Sequence, residues 1–286
     1  MGKIVIVGSG PAGCSAALYA ARAGQEVVVI SMGMGALSKA ELIQNYYGFE
    51  EGITGAELYR QGVAGAKAVG AEFITAEVVG LDYTGSLVVQ TTEGNYPADA
   101  VILATGAGRI APKIAGLAEH EGRGVSYCAT CDAFFYRGKT AAVLGSGEYA
   151  LHEVQALLPL AGRVILCTNG EPLTADFPEG VEICTEKLAA VEGEEKVSAL
   201  RLENGELLPV EGLFVALGVA GSAALARKLG APVENGRIVV DERMQTGIPG
   251  LYAAGDCTGG LLQVCKAVYE GALAATEAIK QIRGKK

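Results

Sequence analysis

The chain has 286 residues, half of them hydrophobic, with 41 glycines and a net charge of −9 at neutral pH. That length fits two domains of ordinary size, and the glycine-rich apolar composition suits a tightly turned, buried α/β sheet and excludes a disordered chain. The acidity, with no basic run beyond Lys285-Lys286, argues against nucleic-acid binding, and no apolar run approaches the roughly twenty residues of a membrane span. Met1-Gly2-Lys3 leads straight into a strand pattern, unlike a secretory signal. Ile6 stands where a myristoylation pattern wants Ser or Thr. Seven cysteines, an odd number, point to a reducing compartment and to a catalytic rather than a structural pair. The expectation is a soluble cytoplasmic protein.

Lys3 to Val7 reads as a buried parallel strand that runs into Gly8-Ser9-Gly10-Pro11-Ala12-Gly13. An alanine-rich helix follows from Cys14 to Ala23, closed by Gly24, and Gln25 to Ile30 is the second strand. This context gives the Gly-x-Gly-x-x-Gly pattern its meaning: a tight turn, close approach of backbone to a pyrophosphate, and phosphates on a helix N-terminus. A glycine turn that binds nothing is the bland alternative. The acid usual at the end of the second strand is missing, with Ser31 and Met32 in its place, and Gly33-Met34-Gly35 suggests a loop that hugs a ligand with its backbone. Beyond the turn-rich Gln44 to Phe49 comes a helix from Gly55 to Val69. Then follow a meander from Glu72 to Thr91 and an apolar strand, Asp99 to Ala104, ending in Thr105-Gly106.

Next stands Tyr127-Cys128-Ala129-Thr130-Cys131-Asp132-Ala133-Phe134-Phe135-Tyr136-Arg137-Gly138. Two cysteines at this spacing can close a small disulfide, and the thiolate of such a pair is stabilised. Asp132 could shuttle the proton that thiol–disulfide exchange moves, and Phe134 and Phe135 offer an apolar patch for a partner. The rival is half a zinc site, but zinc wants four ligands and the only histidines are His120 and His152, so no metal is expected.

The same order then repeats. Lys139 to Leu144 is a strand, Gly145-Ser146-Gly147-Glu148-Tyr149-Ala150 opens a helix, and Arg163 to Cys167 is the next strand. A second meander spans Val181 to Leu208, with a hairpin turn at Glu203-Asn204-Gly205-Glu206, and Leu213 to Gly218 closes it. Leu251 to Ala254 leads to Gly255-Asp256, where the acid either binds a polyol hydroxyl or caps a final helix from Leu261 to Ile282. The predicted fold is α/β: two Rossmann-like dinucleotide-binding units, each with a β-meander, the second inserted in the first. The expected division is 1–114 with 245–286 against an inserted 115–244.

Gly8-x-Gly10-Pro11-Ala12-Gly13, Asn45-Tyr46-Tyr47-Gly48-Phe49, Ala104-Thr105-Gly106, Cys128-Ala129-Thr130-Cys131-Asp132 and Ala254-Gly255-Asp256 fall in the order seen in low-molecular-weight thioredoxin reductases. The chain resembles that family over nearly its whole length. The resemblance implies a homodimer, an FAD domain built from the N- and C-terminal segments, and an inserted domain that holds the redox disulfide and ordinarily NADPH. It implies that Cys131 lies nearest the flavin, that Cys128 exchanges with the partner's disulfide, that Asp132 transfers the proton, and that Phe134 and Phe135 meet thioredoxin. It also implies that Gly8, Ser9, Gly10, Pro11, Ala12, Gly13, Gly35, Asn45, Val78, Thr105, Gly106, Gly255, Asp256, Gln263 and Val264 touch FAD. Cys14, Cys167, Cys184, Cys257 and Cys265 read as buried small hydrophobes.

The sequence departs from the family where NADPH would be recognised. The family's His-Arg-Arg run is replaced by Thr168-Asn169-Gly170-Glu171, and only Lys187 and Lys196 carry positive charge between Arg163 and Arg201. A 2′-phosphate there would forgo charge-assisted hydrogen bonds of about 1.5–3 kcal/mol each. Bulky Tyr149 also replaces a small residue of the turn, either blocking a nicotinamide or stacking on a second flavin. The reading is an NADPH-independent disulfide reductase, with ferredoxin or another donor. Its rivals are an ordinary NAD(P)H-dependent thioredoxin reductase, a flavin dithiol oxidase that uses oxygen, and a non-enzymatic flavin carrier.

Overall fold

The computed structural model describes residues 2–83, 85–106, 114–217 and 221–284; Met1, Gly218 and Lys285-Lys286, named above, lie outside the described residues. The chain begins with β1 (Lys3–Val7), α1 (Pro11–Arg22) and β2 (Glu26–Ser31). In α2 (Gly55–Ala68) the Thr54 hydroxyl accepts from Glu57 N and so caps the helix. Next come β3 (Glu72–Thr75), β4 (Val78–Tyr83), β5 (Leu87–Thr91), β6 (Gly94–Ala98) and β7 (Ala100–Leu103). The middle of the chain holds β8 (Val125–Ser126), α3 (Ala129–Asp132), β9 (Thr140–Leu144), α4 (Glu148–Leu157), β10 (Arg163–Cys167) and β11 (Glu182–Cys184). Its meander is β12 (Leu188–Glu192), β13 (Ala199–Leu202) and β14 (Leu207–Pro209), followed by β15 (Gly212–Val215). The chain ends with α5 (Ser222–Lys228), β16 (Val233–Glu234), β17 (Arg237–Ile238), β18 (Leu251–Ala253) and α6 (Val264–Gly284).

The described residues of 1–109 and 221–286 form one compact unit, and those of 110–220 a second. Each is built on a parallel sheet of five strands, in the orders β18-β7-β1-β2-β3 and β11-β10-β9-β15-β8. Each also carries a three-stranded antiparallel meander, β4-β5-β6 or β12-β13-β14. Strands buried on both faces must be apolar throughout, and Ile4 to Val7 and Ala100 to Leu103 are. Each valine, isoleucine and leucine among them contributes about 1.5–3 kcal/mol on burial.

The two sheets repeat one another in detail. Gly8 N donates to Ile30 O at 2.8 Å and Gly145 N to Cys167 O at 3.0 Å. A Cβ on Gly8 would overlap Ala104 O just beyond β7, and one on Gly145 would overlap Ala216 O just beyond β15. The repeat has one permutation: β8 lies outside β15 as β18 lies outside β7. The segment after β8 is the cysteine segment, so it takes in its unit the place that the Gly255-Asp256 turn takes in the first.

The structure revises several expectations. The first helix starts at Pro11 rather than Cys14, because a proline suits the first helical position. Glu72–Thr75 and Glu182–Cys184, expected to open the meanders, are edge strands of the parallel sheets, where β2 and β10 offer them backbone partners. At four and three residues they are too short for their pattern to announce a parallel strand. Described residues of 221–244, expected in the inserted unit, pack in the first. There Ser222 Oγ lies 2.6 Å from Thr105 Oγ1 and Lys228 Nζ donates to Val79 O at 3.1 Å. The final helix starts at Val264, eight residues after Asp256, so Asp256 does not cap it. Among the described residues no helix is long and apolar enough to cross a membrane.

Candidate active site

The first unit carries a cleft of about 330 Å³ at the carboxyl ends of β1 and β7, the place where open α/β sheets bind ligands. Gly8, Gly10, Pro11 and Ala12 form one wall, Gly35 and Asn45 another, and Thr105, Gly106, Gly255, Asp256, Gln263 and Val264 the rest. The glycines serve different ends. A Cβ on Gly13 would overlap Gly8 O, so that glycine lets α1 lie close under the turn, whereas Gly10 faces open space. Asn45 Nδ2 donates to Gln263 Oε1 at 2.8 Å, joining two segments far apart in the chain. Ser9 is buried and turned away, with its hydroxyl 2.7 Å from Ser31 Oγ and 3.0 Å from Tyr59 OH. Gly13 and Val78 do not line the cleft either; Val78 is buried in the meander.

Several residues of this site escaped the sequence reading. Leu37, Leu42 and Ile43 add apolar lining from the loop after Gly35; their spacing carries no periodic signal. Behind the cleft, Glu270 Oε2 accepts from Gly255 N at 2.8 Å and from Thr258 Oγ1 at 2.9 Å. Lys266 Nζ donates to Gly255 O at 2.8 Å and lies 3.0 Å from Glu270 Oε2. This largely buried pair, one turn apart on α6, pins the turn that carries Asp256. The i, i+4 spacing was the available signal.

In the second unit Cys128 and Cys131 form a disulfide with their Cα atoms 5.4 Å apart. Cys128 precedes α3, and its Sγ accepts from Cys131 N at 3.1 Å, a bond that favours a thiolate at Cys128 once the pair is reduced. Cys128 is 4% exposed, while Cys131 is exposed. Exchange at Cys128 therefore needs that sulfur uncovered. Ser126 Oγ donates to Asp132 Oδ2 at 2.7 Å and accepts from Cys128 N at 3.1 Å, so it ties the acid to the cysteine backbone. Burial, and secondarily the Asp132 charge, pushes the Tyr136 phenol above its ordinary range. Phe134 and Phe135 are 66% and 67% exposed and meet edge to face, with the Arg137 guanidinium over Phe134. Exposed aromatics beside a reactive centre suit a docking partner.

The cysteine segment is also held from below. Glu153, 1% exposed, accepts the Ala129 N–H with Oε2, and its Oε1 lies 3.2 Å from His152 Nδ1. Tyr149, one turn earlier on the same face of α4, is buried and donates its hydroxyl to Tyr127 O at 3.0 Å. Tyr149 thus bolts α4 to the cysteine segment. His120 bonds Gly116 O and Gly193 O within this unit. Beyond β10, Asn169 Oδ1 accepts from Leu188 N, and the stem of Lys187 lies over Gly170. Among the described residues the stem of this lysine thus lies by the loop, where the family's pattern has a His-Arg-Arg run.

Of the other cysteines, Cys14 and Cys257 are buried, and burial pushes their thiols up to about 12 and about 11. Cys265 is exposed and Cys184 half-buried, contrary to expectation: the first turn of α6 faces solvent at Cys265, and β11 is a sheet edge.

Ser126→Ala should leave Cys128 N–H unpaired and Asp132 unheld. Expected are a stability loss of about 1–3 kcal/mol and a turnover through the disulfide lower by about ten- to a hundred-fold. Urea unfolding and steady-state kinetics measure the two, and no change in either would refute the bridging role.

Residues 2–271 match the family described as pyridine nucleotide-disulphide oxidoreductase. The chain is 35% identical to the thioredoxin reductase of Aquifex aeolicus over 99% of this chain and 94% of that one. It superposes on an atypical thioredoxin reductase from Desulfovibrio vulgaris Hildenborough with a TM-score of 0.93, at 40% identity over 99% of both chains. A ferredoxin-flavin thioredoxin reductase from Clostridium acetobutylicum gives a TM-score of 0.75, at 35% identity over 99% of this chain and 98% of that one. The chain belongs to the pyridine nucleotide-disulphide oxidoreductases and, within them, to the thioredoxin reductase-like flavoenzymes. That membership implies FAD, and the cleft fits it. Gly10 leaves room for a pyrophosphate at the start of α1, and Asp256 offers a carboxylate to a polyol.

Proposed function

We propose that the protein is an FAD-dependent disulfide reductase that serves thioredoxin or a thioredoxin-like protein and draws its electrons from a donor other than NADPH, such as ferredoxin. The observation that carries the reading is the Cys128–Cys131 disulfide, with Asp132 tied to it through Ser126, in a unit whose nucleotide loop has lost its basic run. FAD held in the cleft, once reduced by the donor, would supply an electron pair. With that pair and two protons, taken from solvent and Asp132, the Cys128–Cys131 disulfide opens to two thiols. Cys128, its thiolate favoured by the Cys131 N–H, attacks the partner's disulfide, Cys131 resolves the mixed disulfide, and Asp132 carries the proton. Phe134 and Phe135 receive the partner. Gly8, Gly10, Pro11, Ala12, Gly35, Asn45, Thr105, Gly106, Gly255, Asp256, Gln263 and Val264 line the cleft and hold FAD, while Ser9, Gly13 and Val78 support its walls from behind. A homodimer, on the strength of the resemblance, and a cytoplasmic location, on the strength of the cysteine usage, complete the proposal.

The donor argument rests on charge. Thr168-Asn169-Gly170-Glu171 offers a 2′-phosphate no guanidinium fork, and Lys187 alone does not replace one. The names of the Desulfovibrio and Clostridium relatives, atypical and ferredoxin-flavin, support the same direction. Anaerobic titration of the flavoprotein, after flavins per chain are counted, tests it. NADPH and NADH should leave the flavin absorbance unbleached, and dithionite or reduced ferredoxin should bleach it fully. Rapid stoichiometric bleaching by NADPH would make this an ordinary thioredoxin reductase. Peroxide formed from a small dithiol, without reduction of thioredoxin, would make it a dithiol oxidase.

A further inference from the structure

Cys167 and Cys184 have no part in the reaction proposed above, yet they stand side by side. They are the last residues of β10 and β11 and are partners in the parallel register. Register partners have Cα atoms about 4.8 Å apart, inside the 4.4–6.8 Å span of disulfides. Both side chains face one apolar cluster, with Cys167 fully buried in it and Cys184 at its margin. Each thiol is the largest single influence on the other's ionisation. β11 is a three-residue edge strand, so it can shift to bring the sulfurs to bonding distance without disturbing the sheet behind it. The Cys128–Cys131 disulfide follows β8 on the same sheet, three strand spacings or about 14 Å from β10, too far for direct exchange.

We propose that Cys167 and Cys184 form a second redox site, a vicinal dithiol that low-molecular-weight disulfides close reversibly to a disulfide. The half-buried Cys184 is the reachable sulfur and the buried Cys167 resolves. Cys184 thiolate attacks one sulfur of a small disulfide RSSR, forming Cys184–S–S–R and releasing RSH, whose proton comes from solvent. Cys167 then attacks Cys184 Sγ, loses its own proton to the leaving thiolate, and releases a second RSH. Two protein thiols are oxidised and one RSSR is reduced to two RSH. The hydrogen bond from Cys167 holds the Cys184 thiol down at about 6, helped by the Glu186 backbone N–H and opposed by burial and the charges of Glu186 and Glu206. The same hydrogen bond, and burial, push Cys167 up. The reachable sulfur is thus the one that ionises, as an attacking thiol must.

The test uses the FAD-loaded full chain, whose Cys128 and Cys131 are already paired. After incubation with glutathione disulfide and a maleimide quench, peptide mass spectrometry should find Cys167 linked to Cys184, with both of these thiols lost together and recovered in full with dithiothreitol. Cys167→Ala should accumulate glutathione on Cys184 at near one per chain. Cys184→Ser should leave Cys167 unmodified, and this variant stands alone should Cys167→Ala fail to fold. A persistent glutathione adduct on wild-type Cys184 without the cross-link, a cross-link to another cysteine, or no reaction at either sulfur would each overturn the proposal.

Discussion

Serine in place of either redox cysteine is expected to abolish thioredoxin turnover, by at least about a thousandfold, while FAD stays bound and dithionite still reduces it. The two variants should nevertheless differ. A monothiol enzyme that keeps the attacking sulfur forms a mixed disulfide it cannot resolve. With Cys128 as that sulfur, Cys131→Ser should trap a thioredoxin-type disulfide substrate and Cys128→Ser should not. The geometry sets two considerations against each other. Cys131 N donates to Cys128 Sγ and favours its thiolate, but Cys128 is 4% exposed and Cys131 is exposed. Thiolate character governs rate only at a sulfur the partner can reach, so trapping by Cys131→Ser would show that Cys128 is uncovered during turnover. Trapping by Cys128→Ser alone would exchange the two roles. Undiminished turnover in both variants would leave the disulfide without a function.

Glu270→Ala is the second large effect. It leaves the largely buried Lys266 ammonium bonded to Gly255 O, Thr258 Oγ1 and Gly259 O but without its counter-charge, and it removes the acceptor of Gly255 N. Breaking a buried ion pair from one side costs about 3–5 kcal/mol. The loss falls on the turn that carries Asp256 into the cleft, so FAD affinity should drop by at least about tenfold, equivalent to about 1.4 kcal/mol. Titration of the apoprotein by flavin fluorescence and thermal unfolding measure the two effects. Lys266→Met with Glu270→Leu separates them. The double variant buries no unpaired charge and should recover much of the stability, yet it cannot restore the bonds to Gly255 and should still bind FAD weakly. Unchanged affinity in both would show that the pair does not organise the turn.

Much of this molecule was legible in the residues. Gly8 to Gly13 announces its turn because only glycine tolerates the carbonyl of Ala104 against Gly8 and the carbonyl of Gly8 against Gly13. Continuous apolar runs such as Ile4 to Val7 announce strands buried on both faces, and the repeat of strand, glycine turn and helix announces a second unit. The cysteine pair, with an acid and two phenylalanines behind it, names its own chemistry. These signals are local: each rests on a covalent constraint or on a burial pattern within one short segment.

What only the tertiary structure decided depends on partners distant in sequence. Glu72–Thr75 and Glu182–Cys184 became parallel edge strands because β2 and β10 offer unpaired backbone there. Residues from Ser222 onward joined the first unit because Thr105 and Val79 supply their hydrogen bonds. Tyr149, whose bulk reads as blocking a nicotinamide or stacking on a second flavin, ties α4 to the cysteine segment because Tyr127 O lies within reach of its hydroxyl. Cys184, which reads as an inert hydrophobe, lies beside Cys167 because the register of two strands seventeen residues apart puts it there. A residue's type states which interactions it can make, and the fold chooses among them by bringing up the second group.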